Sequence, residues 1–464
     1  MAISAFIFFI LLFFVIGIWS LKEHKNTTND YLLAGRSISS FNAAISAAAT
    51  SCSGFMFIGL IGFAYANGLS ALWFIFSRVV GDLMVTLWVY PRLYKKSVEN
   101  NNMTFSSVLS SWFGKDMKLI RVVSALVIIV FLSVYISTQF SAGGKALYAV
   151  FGFDYKMGVV IGAAIILAYC FAGGIRASIW TDVAQFIIML AAMIILLFSM
   201  SYNIGGLDNS IAMLKKIDSG DYLNIWHHKP AYNIVLFIVG FLFNGVSVLG
   251  QPQIVIRIMT IKSKDVIKTQ LICVTSILIF GILAIAVGIG TRLFFDNINF
   301  DQELALPLIA KNILPGWLTG IVLAGIFASV ISTADSQILS CSAALTEDLI
   351  NKDSYLLSKI STLIITLTTL LMALKESSSI FKLTIFAWSA LGSTFAPIIV
   401  LYSLGYKISQ KVTLLMMFSA ITTIIIWHNL GLNYITYSAL PACIVPLLIF
   451  STSSVLEKIK NYKS

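Results

Sequence analysis

Residues able to do chemistry are few in this sequence and sit inside apolar runs. The densest group lies between Ala328 and Gln337, where Ser332, Asp335, Ser336 and Ser340 recur at i, i+3, i+4 and i+8 on one helical face, with Ser329 a turn earlier and Thr333 alongside. Hydroxyls and a carboxylate are hard oxygen ligands, which suit Na+ better than a soft metal. Hydroxyl bonding back to the preceding helical turn explains one or two of these residues but not the aspartate. A second polar knot, Ala49-Thr50-Ser51-Cys52-Ser53-Gly54-Phe55, interrupts the apolar stretch from about Ile38 to Ala66. Carbonyls released there need a cavity or a ligand, because lipid offers them no partner. A serine-rich face packed against another helix is the other reading of the knot. A third interruption, Asn244-Gly245-Val246-Ser247-Val248-Leu249-Gly250-Gln251-Pro252, holds two glycines and a proline, which break a helix.

Ionisable groups at membrane depth cost on the order of 2.5–3.5 kcal/mol each, so each counts as a functional candidate. Arg78, Asp82, Asp182 and Asp335 are the ones present. Arg78 and Asp82, four residues apart, are spaced to pair across one helical turn and neutralise each other. Asp182 reads either as a solvated acid at a helix entrance or as a site residue. Other chemistries lack their residues. Neither HExxH nor GxxxxGK[ST] occurs, so no zinc hydrolase or nucleotide-driven pump is expected and any transport must draw on an ion gradient. Five cysteines without paired spacing and four histidines in loops or at segment ends outline neither a disulfide framework nor a metal cage.

The elements that must position these residues are membrane helices. Of 464 residues, 58% are hydrophobic and 11% charged, with a mean hydropathy of +0.92. No soluble fold of this size hides so much apolar surface. The chain is therefore expected to be an all-α polytopic membrane protein without enzymatic activity. Windows long enough to cross about 30 Å of hydrocarbon fall near 2–21, 39–66, 69–93, 119–149, 155–175, 176–203, 233–257, 266–292, 312–347, 354–374, 378–405, 411–428 and 434–452, thirteen spans in all. The first has no basic n-region and no small-residue cleavage site, so it reads as a retained helix. Starting it outside gathers roughly two-thirds of the 31 Lys and Arg on the inner side, Arg36, Arg92, Arg176 and Arg257 among them. The positive-inside rule then predicts an external N-terminus and a cytoplasmic C-terminus. The net charge of +11 follows from this asymmetry, and nucleic acid is not expected as a partner. The second and seventh spans are the interrupted ones, five apart, as in two inverted copies of a five-helix unit.

With these residues in view, the chain resembles the sodium:solute symporter family over nearly its whole length, and within it the bacterial sodium/proline symporters. The resemblance rests on Tyr31-Leu32-Leu33-Ala34-Gly35-Arg36-Ser37, the Ser53-Gly54 break, Gly173-Gly174 with Trp180-Thr181-Asp182, Gly250-Gln251-Pro252 leading to Arg257, the Ser332-Thr333 pair, Thr346-Glu347-Asp348-Leu349, and Ala387-Trp388 with Pro397. It implies a single membrane transport domain over 1–464: a leucine-transporter-like 5+5 inverted-repeat core at 38–405, a peripheral first helix and loop at 2–37, and two peripheral helices with a basic tail at 406–464. Na+ is implied as the co-transported ion, held by the carbonyls of Ala49, Cys52 and Ser329 and the hydroxyls of Ser332 and Thr333. Asp182 matches a family aspartate linked to sodium dependence and is the sixth expected Na+ ligand, for a second ion, and Tyr135 matches an aromatic on the substrate path.

The chain also departs from those proline carriers, with Ser51 in place of an aspartate, Phe55 in place of a tryptophan, and Asn244 and Val248 in place of Trp and Tyr. The expected substrate pocket comprises Ser53, Gly54, Phe55, Tyr135, Asn244, Val248 and Gln251, with Asp335, Ser336 and Arg257 as coupling residues. Asp335, which proline carriers lack, would return the negative charge missing at Ser51. The expected function is Na+-driven uptake of a small solute across the plasma membrane, proline or a related amino acid first. A small carboxylate or vitamin such as pantothenate, or a transport-inactive membrane sensor or scaffold, are the alternatives.

Overall fold

The computed structural model describes all residues except 21, 23–26, 227–233, 263, 296–300, 351–354, 376–378 and 464, with backbone alone at 169–173, 218, 219, 355, 434 and 456–463. His24, Lys25, His227, His228, Lys229, Asp296 and Lys352 lie outside the described residues, as do the side chains of Cys170, Lys458, Lys460 and Lys463.

The first helix, α1 (Ala2–Ser20), is apolar all round. Only 22% of its membrane window is buried, so most of it faces lipid. A short α2 (Thr28–Leu33) leads through Ala34, Gly35 and Arg36, all at positive φ, into α3 (Ser40–Ser51). Ser39 caps α3 by accepting from the Asn42 amide. The helix stops at Cys52 (φ −84°, ψ 55°) and the chain resumes with a π-helical turn, Phe55–Gly59, ahead of α4 (Leu60–Asn67). Single π turns inside helices gather at functional positions.

Two shorter helices, α6 (Val89–Glu99) and α7 (Phe105–Ser110), separate α5 (Leu72–Thr86) from the long α8 (Lys118–Phe151) and α9 (Tyr155–Ile204). Hydrogen bonding makes α9 one helix, yet Gly174 inside it has φ +59°, at the boundary expected between the fifth and sixth spans. After α10 (Leu207–Leu214) come α11 (Ile234–Val246) and α12 (Pro252–Met259), which form the second broken span with a 55° bend. Pro252 opens α12, where its missing N–H leaves no bond unmade. The chain ends with α13 (Val266–Thr291), α14 (Ala305–Ile313), α15 (Gly316–Ala343), α16 (Tyr355–Lys375), α17 (Ile380–Ser403), α18 (Gln410–Asn429) and α19 (Ala439–Lys463).

Among the described residues no β-strand forms, and the fold is all-α. Helices α15 and α17 are the most enclosed, each with 83% of its membrane window buried, against 28% for α18. Their small residues allow this: α15 packs closely on α8 and α9, and α17 on the α11–α12 break. The two broken spans are tied at one end by an isolated parallel bridge. There the Ile38 amide donates to the Thr260 carbonyl (3.2 Å) and the Lys262 amide to the Ile38 carbonyl (2.9 Å).

Thirteen crossings are not reproduced by length and composition. Nine described helices qualify, ten with the bent pair, and Tyr155–Ala168 and Ala439–Val455 are shorter apolar helices. The breaks themselves lower the count, since α3 has twelve residues, too few to qualify, and the run from Phe55 to Thr86 reads as one.

Candidate functional site

Helix α15 lies against the end of α3, and their polar atoms meet there. The Ser332 hydroxyl donates to the carbonyls of Ala49 (3.3 Å) and Ser329 (3.2 Å), and Thr333 Oγ1 donates to the Thr50 carbonyl (3.0 Å). All of these residues are buried. Four of the six expected sodium ligands, Ala49, Ser329, Ser332 and Thr333, are thus brought together. The fifth, Cys52, is the residue at which α3 ends, and its ψ of 55° takes its carbonyl out of the helical ladder. Reading the sequence alone missed the Thr50 carbonyl, because a contact between residues 283 positions apart leaves no local spacing signal. Such a group offers a hard cation two hydroxyl and several carbonyl oxygens with no charge of its own.

Asp182 occupies a neighbouring layer. Its Oδ2 accepts from the Ser46 hydroxyl (2.6 Å) and from Arg257 (3.3 Å), while Oδ1 has no partner. Arg257, only 1% exposed, also reaches the Ser178 hydroxyl (2.9 Å), the Gln253 carbonyl (2.9 Å), Ser46 Oγ (3.2 Å) and Ser336. Ser336 in turn donates to the Ser332 carbonyl (2.6 Å) and lies 3.2 Å from Thr50 Oγ1. A hydrogen-bonded chain therefore runs from Asp182 through Arg257 and Ser336 to Ser332. Asp335, buried on the same helix, stands one residue before Ser336.

Across the α3 break from this network lies a cavity lined by Ser51, Phe55, Phe74, Arg78, Tyr135, Asn244, Thr384, Ile385 and Trp388. Phe55, Tyr135 and Asn244 were expected there. Val248 is buried nearby but does not line the cavity. Ser53 and Gly54 stand behind it: Ser53 Oγ lies 3.1 Å from the Tyr135 hydroxyl, and the Gly54 amide donates to Gln139 Oε1 (3.0 Å). A Cβ on Gly54 would meet Ala142 Cβ at 2.9 Å, so glycine is required for α8 to approach the break. Gln251 turns away to donate to the Trp388 carbonyl (3.0 Å). It fastens the second broken span to α17.

The expected Arg78–Asp82 pair does not form. Among the described residues no carboxylate lies within 4.0 Å of Arg78, whose guanidinium rests 4.9 Å from the centre of the Trp388 ring. Asp82 accepts instead from Thr86 Oγ1 (3.5 Å). The spacing was right for a pair, but an aromatic face from α17 holds the arginine. Helices α5 and α11 cross here at backbone contact: a Cβ on Gly245 would fall 2.0 Å from the Arg78 carbonyl oxygen. That crossing sets Arg78 beside Asn244. Trp388 Nε1 donates to the Asn244 carbonyl (3.0 Å) and closes the triangle.

Known proteins share this organisation. The chain is 30% identical over 458 residues to the high-affinity proline transporter PutP of Bacillus subtilis (strain 168), covering 96% of each. With the sodium/proline symporter of Escherichia coli (strain K12) it shares 28% identity over 437 residues, 90% of this chain and 86% of that one. Among solved structures, a Na+-coupled sialic acid symporter in a substrate-bound outward-open state superposes with a TM-score of 0.84 at 16% identity, over 98% of this chain and 97% of the other. A nucleobase-cation-symport-1 family transporter, Mhp1, in a closed conformation with bromovinylhydantoin bound, gives 0.59 at 12% identity, over 92% and 95%. These likenesses give the fold, the leucine-transporter-like architecture of Na+ symporters. The model of the sodium:solute symporter family matches residues 31–419. With the match spanning most of the sequence, the chain belongs to the sodium:solute symporter family, as a transporter and not an enzyme.

Proposed function

We propose that this protein is a plasma-membrane symporter in which Na+ entering at the α3–α15 junction drives uptake of a small organic solute through the cavity beside it. The observation that carries the reading is the convergence of the Ser332 and Thr333 hydroxyls on the Ala49 and Thr50 carbonyls. These carbonyls come immediately before Ser51, which lines the cavity. A cation taking these oxygens together with the Cys52 and Ser329 carbonyls fixes the break and so sets the position of Ser51 and Phe55. Asp182, Arg257, Asp335 and Ser336 couple this event to the opposite face. Residues 38–405 rock as the transport core, with 2–37 and 406–464 peripheral, the N-terminus outside and the C-terminus cytoplasmic.

Relatives at 28–30% identity are proline transporters by name, which makes proline or a related amino acid one candidate solute. A small carboxylate or vitamin such as pantothenate is the other, and the arginine in the cavity wall favours it. Uptake into proteoliposomes under an imposed Na+ gradient tests the coupling. Accumulation of a solute that follows the gradient is expected, and accumulation indifferent to it, or driven by pH instead, removes sodium as the coupling ion. Ser332→Ala and Thr333→Ala should each raise the Na+ concentration for half-maximal uptake, and an unchanged value takes α15 out of the site.

A further inference from the structure

We propose that Arg78 reads an anionic group on the substrate and that the transported solute is a monoanionic organic acid with an apolar body. The inference rests on the symporter reading above and goes on to the solute's charge. Three residues around the cavity each hold a buried polar atom without a partner: Arg78 Nη2, Asn244 Nδ2 and Ser51 Oγ. They come from three different helices, and each residue is at most 4% exposed. A buried polar group normally finds a hydrogen-bond partner, so three orphans on residues around one cavity mark a place for a ligand. All three can donate a proton, which is the complement of a carboxylate: guanidinium, amide and hydroxyl.

The rest of the wall sets the other limits. Phe55, Phe74, Tyr135, Ile385 and Trp388 offer an apolar, largely aromatic lining, and no Asp or Glu is among the lining residues. The ammonium of a zwitterion would therefore be buried without a counter-charge, at a cost of several kcal/mol. The Trp388 face, the best cation–π surface in the wall, is already covered by Arg78. Arg78 Nη1 is spent on the Met56 sulfur at 3.9 Å, a weak acceptor that an incoming carboxylate oxygen displaces.

Thermal stabilisation of the purified full-length protein by proline, pyruvate, phenylacetate and pantothenate, with and without Na+, tests the assignment. Na+-dependent stabilisation by at least one of the three monocarboxylates is expected, with none from proline. Arg78→Leu should raise that ligand's half-saturating concentration about 10- to 100-fold, the loss of a charge-assisted hydrogen bond. Arg78→Lys, which keeps the charge but not the planar fork, should fall between. The shift given by Na+ alone, retained in both variants, reports that they fold. Proline binding equally well to wild type and Arg78→Leu overturns the proposal, as does a Na+ shift unaccompanied by any monocarboxylate shift. A protein on which Na+ has no effect, alone or with any ligand, fails the symporter reading instead.

Discussion

Among single residues the Asp182–Arg257 pair carries the sharpest expectation. Both side chains are essentially unexposed, and Arg257 spends its donors on Ser46, Ser178, Gln253 and Ser336 as well as on the carboxylate. Removing one member of such a pair leaves an uncompensated charge in a dry interior. Asp182→Asn should therefore lower stability by about 3–5 kcal/mol. The double change Asp182→Asn with Arg257→Gln should recover part of this, because no lone charge remains. Thermal unfolding of the detergent-solubilised single and double variants measures the difference, and strictly additive losses would show that the two residues are not coupled. Residues also differed in how legible they were in the sequence. Ser332 and its neighbour Thr333 stand out in a local i, i+3, i+4 pattern, whereas the Ala49 carbonyl was expected only from the family resemblance. The freedom of Arg78 was not legible, because its spacing to Asp82 advertises a pair while the competing Trp388 ring arrives from 310 positions away in the chain.

Individual helices matter most where their ends are fixed by distant charges. Glu303 accepts from Ser379 Oγ (2.6 Å) and from the amides of Ile380 (3.2 Å) and Phe381 (3.0 Å), so it caps α17 from outside. Lys145 of α8 holds both Glu303 (2.7 Å) and Asp301 (2.6 Å). The capped turn carries Phe381, whose ring lies 5.2 Å from that of the cavity-lining Phe55 and 5.0 Å from Phe63. Glu303→Ala should leave the Ile380 and Phe381 amides without their acceptor, with Ser379 alone capping α17, at a cost of about 0.5–2 kcal/mol. Amide hydrogen exchange over residues 381–384 should then quicken about 2- to 30-fold, and unchanged protection would show that the seam does not hold the helix. The broken helices α3 and α11–α12 were legible from Ser, Gly and Pro at depth. This seam was not, because it joins three segments separated by loops whose charges read from the sequence only as outer-side dilution of the basic residues.

For the whole molecule, the question is what the membrane potential contributes. Hydropathy made the class plain, since apolar surface on this scale has only lipid to face, while the number of crossings was blurred by the same breaks that build the site. One charge moving through about 100 mV releases about 2.3 kcal/mol, which supports roughly 50-fold accumulation at 1.36 kcal/mol per decade. A zwitterion entering with one Na+ gains all of this. A monoanion entering with one Na+ carries no net charge and gains none of it, so its accumulation follows the Na+ concentration ratio alone. With the anionic solute bound at Arg78 and a single cation at the α3–α15 junction, uptake into proteoliposomes should be the same at zero potential and at an inside-negative potassium diffusion potential set with valinomycin. If the potential raises accumulation at a fixed Na+ gradient, a second cation must travel with the anion. Its ligand would then be sought at Asp182, whose Oδ1 is without a partner, and the dependence of uptake on Na+ concentration should then be sigmoidal.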